Sequence, residues 1–157
     1  MTEVHLRLVP TDPSWQPTPE EARAAVEVLR TITQDRGEME LELYDEVTLI
    51  EQSRDHGSAD CPGCHHSLPR SWWHDRLNHA AESSFVNLTV VTPCCHTVTS
   101  LNDLLHAYPT VFTRAELLVR GPERELTDDE LTTLAQALGH AIRQLVTDDR
   151  PSISWDY

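Results

Sequence analysis

The 157 residues predict an α+β domain: two helices packed on a mainly antiparallel sheet, with a zinc-ribbon-like pair of loops set into the chain. Three observations predict it. Apolar residues alternate with polar ones over residues 4–8 and 39–49, the period of a strand with one buried face, and residues 112–119 read as a third strand. Two other stretches space their apolar residues as a helix does, each opened by a Thr and a Glu three positions apart. Between these elements lie two cysteine pairs, Cys61 with Cys64 and Cys94 with Cys95.

Val4, Leu6 and Leu8 alternate with His5 and Arg7 as a first strand, ended by Pro10. Four prolines over residues 10–19 make an extended connector, with Trp15 to tack it down. Thr18, Pro19 and Glu21 form a capping box with proline at the first helical position. Ala22, Ala25, Val26, Leu29 and Ile32 then line one helical face, and Gly37 is read as the stop. Met39, Leu41, Leu43, Val47 and Leu49 should face inward from a second strand, with Glu40, Glu42 and Glu46 on its wet face and a bend or bulge at Asp45.

A polar run from Glu51 to Asp60 leads into the cysteines. Residues 71–81 read as a short helix presenting Trp73, Leu77, Ala80 and Ala81 to the interior, and residues 85–91 as a strand running into Pro93. Thr99 or Ser100 should cap a short helix through Leu105, and a strand over 112–119 closes at Gly121-Pro122. In the last helix Thr127 and Glu130 form the capping box, and Leu131, Leu134, Ala135, Leu138, Ala141, Ile142 and Leu145 form one face, with Arg143 near its far end. The expected organisation is one domain over 1–157, with 53–104 as a metal-binding insertion. A chain of this length buries roughly 68–70% of its unfolded surface, so a metal would fix local loops rather than hold the whole fold.

The chain has Lys+Arg 12 against Asp+Glu 26, a formal charge of −14, and every basic side chain apart from histidine is arginine. Such a field repels nucleic-acid phosphates and anionic membranes and favours basic protein partners or simple solubility. No basic segment followed by an apolar one opens the chain, and no stretch nears the ~18 apolar residues of a membrane span, so a soluble cytosolic protein is expected. In a reducing cytosol four cysteines read as metal ligands or free thiols before disulfides.

Cys61-Pro62-Gly63-Cys64 has the two-residue spacing that lets two thiolates chelate one ion from a tight turn, with Gly63 expected to supply a positive φ. Cys94-Cys95 follows 29 residues later, and each pair comes after an expected strand, so neighbouring strands can bring the loops together. One structural zinc held by Cys61, Cys64, Cys94 and Cys95 is the leading reading. His96 in place of one of the adjacent pair, or no metal and four plain thiols, are its alternatives. Thiolates in compact loops without a redox motif favour zinc, and four protein ligands leave no open position for a catalytic water.

The Cys-Pro-x-Cys pair, with Thr92-Pro93-Cys94-Cys95 running into Thr99-Ser100-Leu101-Asn102-Asp103-Leu104, resembles a family of small uncharacterised bacterial zinc-ribbon-like proteins. The resemblance is firmest over residues 61–64 and 92–104 and extends weakly through the 112–120 strand and the last helix. It implies the metal site and brings no activity with it. Relatives in that family have Gly after the double cysteine, where this chain has His96, which leaves open whether His96 joins the metal.

No catalytic residue is expected. His74 and His79 are five apart and do not share a helical face, and Cys95-His96 neighbours in sequence do not make a nucleophile and its base. Trp72-Trp73 reads as core packing, with an exposed partner anchor as the other reading, and the Glu40, Glu42, Glu46 face as a solvated surface or a site for a basic partner. The leading function is a non-enzymatic protein–protein interaction module, in one version the neutraliser of a basic toxin or nucleic-acid enzyme. The competing functions are a zinc-dependent hydrolase or deaminase with an open metal position and an acid such as Glu82, and a nucleic-acid-binding ribbon, for which Arg70 and Arg76 beside several acids give poor support.

Overall fold

The computed structural model describes residues 4–51 and 59–148, so most of the polar run before Asp60 and residues 53–58 of the expected insertion lie outside the described residues. Among these, the chain is α+β as expected, and it divides into two compact units: 4–45 with 113–148, and 46–51 with 59–112. Among the described residues no helix is long and apolar enough to cross a membrane.

The first unit is built from β1 (Val4–Pro10), α1 (Pro19–Thr33), β2 (Glu38–Glu51), β7 (Thr110–Arg120), α3 (Asp128–Leu138) and β8 (Ile142–Asp148), β2 and β7 each continuing into the second unit. The strands form one antiparallel sheet in the order β2-β7-β1-β8. Strand–helix–strand twice over, with the outer strands of the two halves interleaved, is the split βαβ or ferredoxin-like arrangement. Its register sets Leu6 against Val119 and Leu8 against Leu117. That apolar face meets Ala25 and Leu29 of α1 and Leu134 and Leu138 of α3 in one core.

The opposite face of the sheet carries a satisfied polar network. Arg7 Nη1 donates to both carboxylate oxygens of Glu116 at 2.8 Å, and its Nε donates to Thr147 Oγ1 at 3.0 Å. The Tyr44 hydroxyl donates to the same carboxylate at 2.8 Å, and burial together with that negative charge raises the Tyr44 phenol above its ordinary range. Glu116 is buried, so its pairing with Arg7 is what makes a carboxylate tolerable there.

Both capping boxes form as the sequence requires, Thr18 with Glu21 and Thr127 with Glu130. Thr127→Ala should cost about 1 kcal/mol of stability, read as a lower denaturant midpoint with an unchanged slope; no shift would show that Arg124, which pairs with Glu130, holds the helix start alone.

Four local expectations are corrected. The last helix stops at Leu138, because Gly139 adopts φ 89 and returns its N–H to Ala135 O. Ala141 then lies outside it, and Ile142, Arg143 and Leu145 belong to β8, which pairs with β1 along its length from Pro10↔Ile142 to Val4↔Asp148. Long-range pairing there overrides the helical spacing. Helix α1 ends before Gly37: Gln34 takes the left-handed cap at φ 56, while Gly37, at φ 83, passes so close to Arg120 O that a Cβ would lie 2.8 Å from it. Leu41 and Leu43 do not face a core; they are 36% and 50% exposed on an edge strand. Residues 85–88 are not strand, since Ser84 and Phe85 have φ 54 and 61.

The second unit holds β3 (Ala59–Asp60), α2 (Arg70–Ala81), β4 (Thr89–Val91), β5 (Val98–Ser100), a single 3-10 turn at Leu101–Asp103 capped by Ser100, and β6 (Leu105–His106). β3 pairs with β6 and β4 with β5, in two small antiparallel ribbons. Trp73, Leu77 and Ala80 of α2 pack with Val47, Leu88, Leu101, Phe112 and Cys61 in one core, so Trp73 is a core residue and Trp72 packs half-buried against it. Asn102 Oδ1 accepts the Phe112 N–H at 2.8 Å, and the Trp73 ring meets His106 edge-on at 5.2 Å.

Candidate metal centre

Cys94 and Cys95 follow β4, whereas Cys61 follows β3, a two-residue strand within the stretch read as a polar run; β3 and β4 belong to separate ribbons and are not neighbouring strands. The four sulfur atoms of Cys61, Cys64, Cys94 and Cys95 all lie within 4.8 Å of one another. Four sulfurs about 2.3 Å from one zinc ion would form a tetrahedron with edges of about 3.8 Å. The Cys61–Cys95 separation of 3.7 Å matches such an edge, and Cys64 and Cys94 are closer, at 3.2 Å. The donor set and its spacing therefore fit a four-coordinate metal held entirely by thiolates. Cys61 is buried within the core of the unit, Cys64 is half-buried, and Cys94 and Cys95 are exposed.

Hydrogen bonds shape the thiols. Gly63 N donates to Cys61 Sγ at 3.3 Å, and Thr92 Oγ1 lies 3.4 Å from the same sulfur. The Thr92 hydroxyl first, then the backbone of Cys64 and Gly63, hold Cys61 down to about 6 against the effect of burial. Thr97 Oγ1, 2.9 Å from Cys95 Sγ, and then Thr92 lower Cys95 as well. The backbone of His66 pulls Cys64 down, but the neighbouring Cys94 thiol, burial and the other two thiols outweigh it and push Cys64 up to about 12. Four thiols this close cannot all ionise without a cation among them, and a divalent metal would release their protons on binding.

Gly63 does not take the positive φ expected of it; the left-handed position in that turn belongs to His65, at φ 64. Gly63 serves a close approach instead. A Cβ there would overlap the Thr97 hydroxyl of the other loop and lie 3.2 Å from Cys95 Sγ.

His96 stands at φ 59, exposed, and is not among the residues whose donor atoms lie together. His74 and His79 also lie outside the group, His79 facing Glu82 at 3.7 Å. The residues that spacing did not reveal are Thr92 and Thr97. Their signal is present in the sequence: Pro62-Gly63-Cys64-His65 and Pro93-Cys94-Cys95-His96 share Pro-x-Cys-His.

No family model, curated protein or solved structure matches this chain.

Proposed function

We propose that this chain is a small zinc-binding protein that carries one structural zinc on Cys61, Cys64, Cys94 and Cys95 and acts as an interaction module for a basic protein partner. The four-sulfur group supports this most strongly: it offers a closed thiolate shell, with neither histidine nor carboxylate among its donors. A closed shell supplies folding energy rather than a bound water to react, which favours a binding role over hydrolysis or deamination. The resemblance to bacterial zinc-ribbon-like proteins, carried by the Cys-Pro-x-Cys and Thr-Pro-Cys-Cys segments, agrees with the metal site and brings no activity with it.

The charge of −14 supports the choice of partner, because a field of that sign speeds encounter with a basic surface and opposes binding to nucleic acid. On the edge strand β2 the exposed Leu41 and Leu43 alternate with Glu40 and Glu42, an arrangement that suits an extended basic segment. Native mass spectrometry of protein purified without chelator tests the metal: one zinc per chain is expected, and a folded, metal-free protein would refute it. Capture from the native host at low salt tests the partner, which should be basic, stoichiometric and released by salt.

A further inference from the structure

The two cysteine loops follow one backbone plan. In the first, Cys61 N donates to His66 O at 2.9 Å and His65 N to Cys61 O at 2.8 Å, with His65 left-handed. In the second, Thr92 N donates to Thr97 O at 3.0 Å and His96 N to Thr92 O at 3.1 Å, with His96 left-handed. Superposing the pattern equates Cys61 with Thr92, Gly63 with Cys94, and Cys64 with Cys95. We infer that the loops are a structural repeat in which Thr92 occupies the place of the second loop's first metal ligand, and that Cys94, reaching in from mid-turn, supplies that ligand as the exchangeable arm of the site, open to an exogenous thiol. The inference rests on the four-cysteine metal reading above.

Side-chain geometry supports the substitution. Thr92 is fully buried, and its Oγ1 lies 3.4 Å from Cys61 Sγ and 3.7 Å from Cys95 Sγ, so it is aimed at the sulfurs as a cysteine there would be. A neutral hydroxyl is a poor zinc ligand beside thiolates, and here it is engaged instead in receiving the Thr97 N–H at 3.0 Å. The mid-turn position points across to the other loop in both copies. A Cβ on Gly63 would lie 3.2 Å from Cys95 Sγ, and Cys94 Sγ lies 3.2 Å from Cys64 Sγ. One loop leaves that position empty so that the turns can close, and the other fills it with a thiol.

The four sulfurs are not equally supported. Cys61 has Gly63 N and Thr92 Oγ1, Cys64 has His66 Nδ1 at 3.2 Å, and Cys95 has Thr97 Oγ1. Among the described residues the Cys94 sulfur is met only by the thiols of Cys64 and Cys61, not by a hydroxyl, amide or ring nitrogen, and it is exposed. Hydrogen bonds to a ligand hold it on the metal, and their loss typically costs 10–100-fold in affinity. Cys94 is therefore the arm that leaves first. In the exchange an incoming thiol forms its sulfur–metal bond as the Cys94 bond breaks, and its proton passes to the released Cys94; no electrons are transferred.

The test uses the full chain loaded with cobalt(II), whose sulfur-to-metal charge-transfer band reports bound thiolates. Cys94→Ala should keep the metal with a band about three quarters as intense, four sulfurs having become three, and added 2-mercaptoethanol should restore it. Cys61→Ala should not be restored by the same thiol. A Cys94→Ala protein that loses the metal irretrievably, or a Cys61→Ala protein rescued equally well, overturns the inference. A parallel measurement on the unmutated zinc form removes any dependence on variant folding: iodoacetamide should label Cys94 first and Cys61 last, and labelling that begins elsewhere refutes the assignment. A wild-type chain that binds no cobalt fails the metal reading itself, a result separate from either of these.

Discussion

Replacing Cys61 by serine should abolish stoichiometric metal binding and loosen residues 59–106 while helix α3 keeps its protection from hydrogen exchange. Cys61 is the one ligand that is also a core side chain, fully buried with Trp73, Leu77 and Leu101. The serine hydroxyl is a far weaker ligand for zinc, so most of the metal's contribution is lost, and structural zinc in small domains contributes about 10–16 kcal/mol at neutral pH. The surrounding strands are too short to hold themselves: β3 and β6 have two residues each, β4 and β5 three. Acid should reproduce the effect, because protons compete with the metal for the four thiolates. Hydrogen exchange that opened residues 128–138 before 59–106 would contradict this account.

Trp73→Ala should be the most damaging change away from the cysteines, costing about 3–5 kcal/mol, a large share of the 5–15 kcal/mol that usually separates folded from unfolded states. Trp73 is 1% exposed and fills the centre of the core that includes Cys61, Leu77 and Phe112, with its ring against His106. The neighbouring Trp72→Ala gives the control: half-buried at the rim of that core, it should cost distinctly less. Denaturant titrations of the two variants decide the matter, and equal small losses would show that the site collapses around the missing ring.

What could be read in advance was local. Thr18 with Glu21 and Thr127 with Glu130 announce helix starts because a cap needs only four consecutive residues. The pairing of Cys61 with Cys64 is legible for the same reason. Strand β8 was not, since Ile142 and Leu145 continue the helical arc of Leu134 and Leu138 as readily as they alternate along a strand; only the partnership with β1 decides between them. Leu41 and Leu43 carried a sound strand period, but periodicity does not say which strands end up at an edge. Thr92 escaped notice because threonine is unremarkable by type, and the shift of a cysteine from 92 to 94 hides the likeness of the two turns from any count of cysteine spacings.

The place of the cysteine unit in the chain bears on the speed of folding. Strands β2 and β7 lie side by side in the sheet, yet 58 residues separate Glu51 from Thr110. Closing a loop of that length costs about 2 kcal/mol more in chain entropy than closing a hairpin of four residues. Val47 and Phe112, close to the two ends of the intervening unit, share a core, so once that unit has folded its ends are already together and the long loop behaves as a short one. An ion that nucleates the unit would thereby hasten the pairing of two strands whose sheet contains none of its ligands.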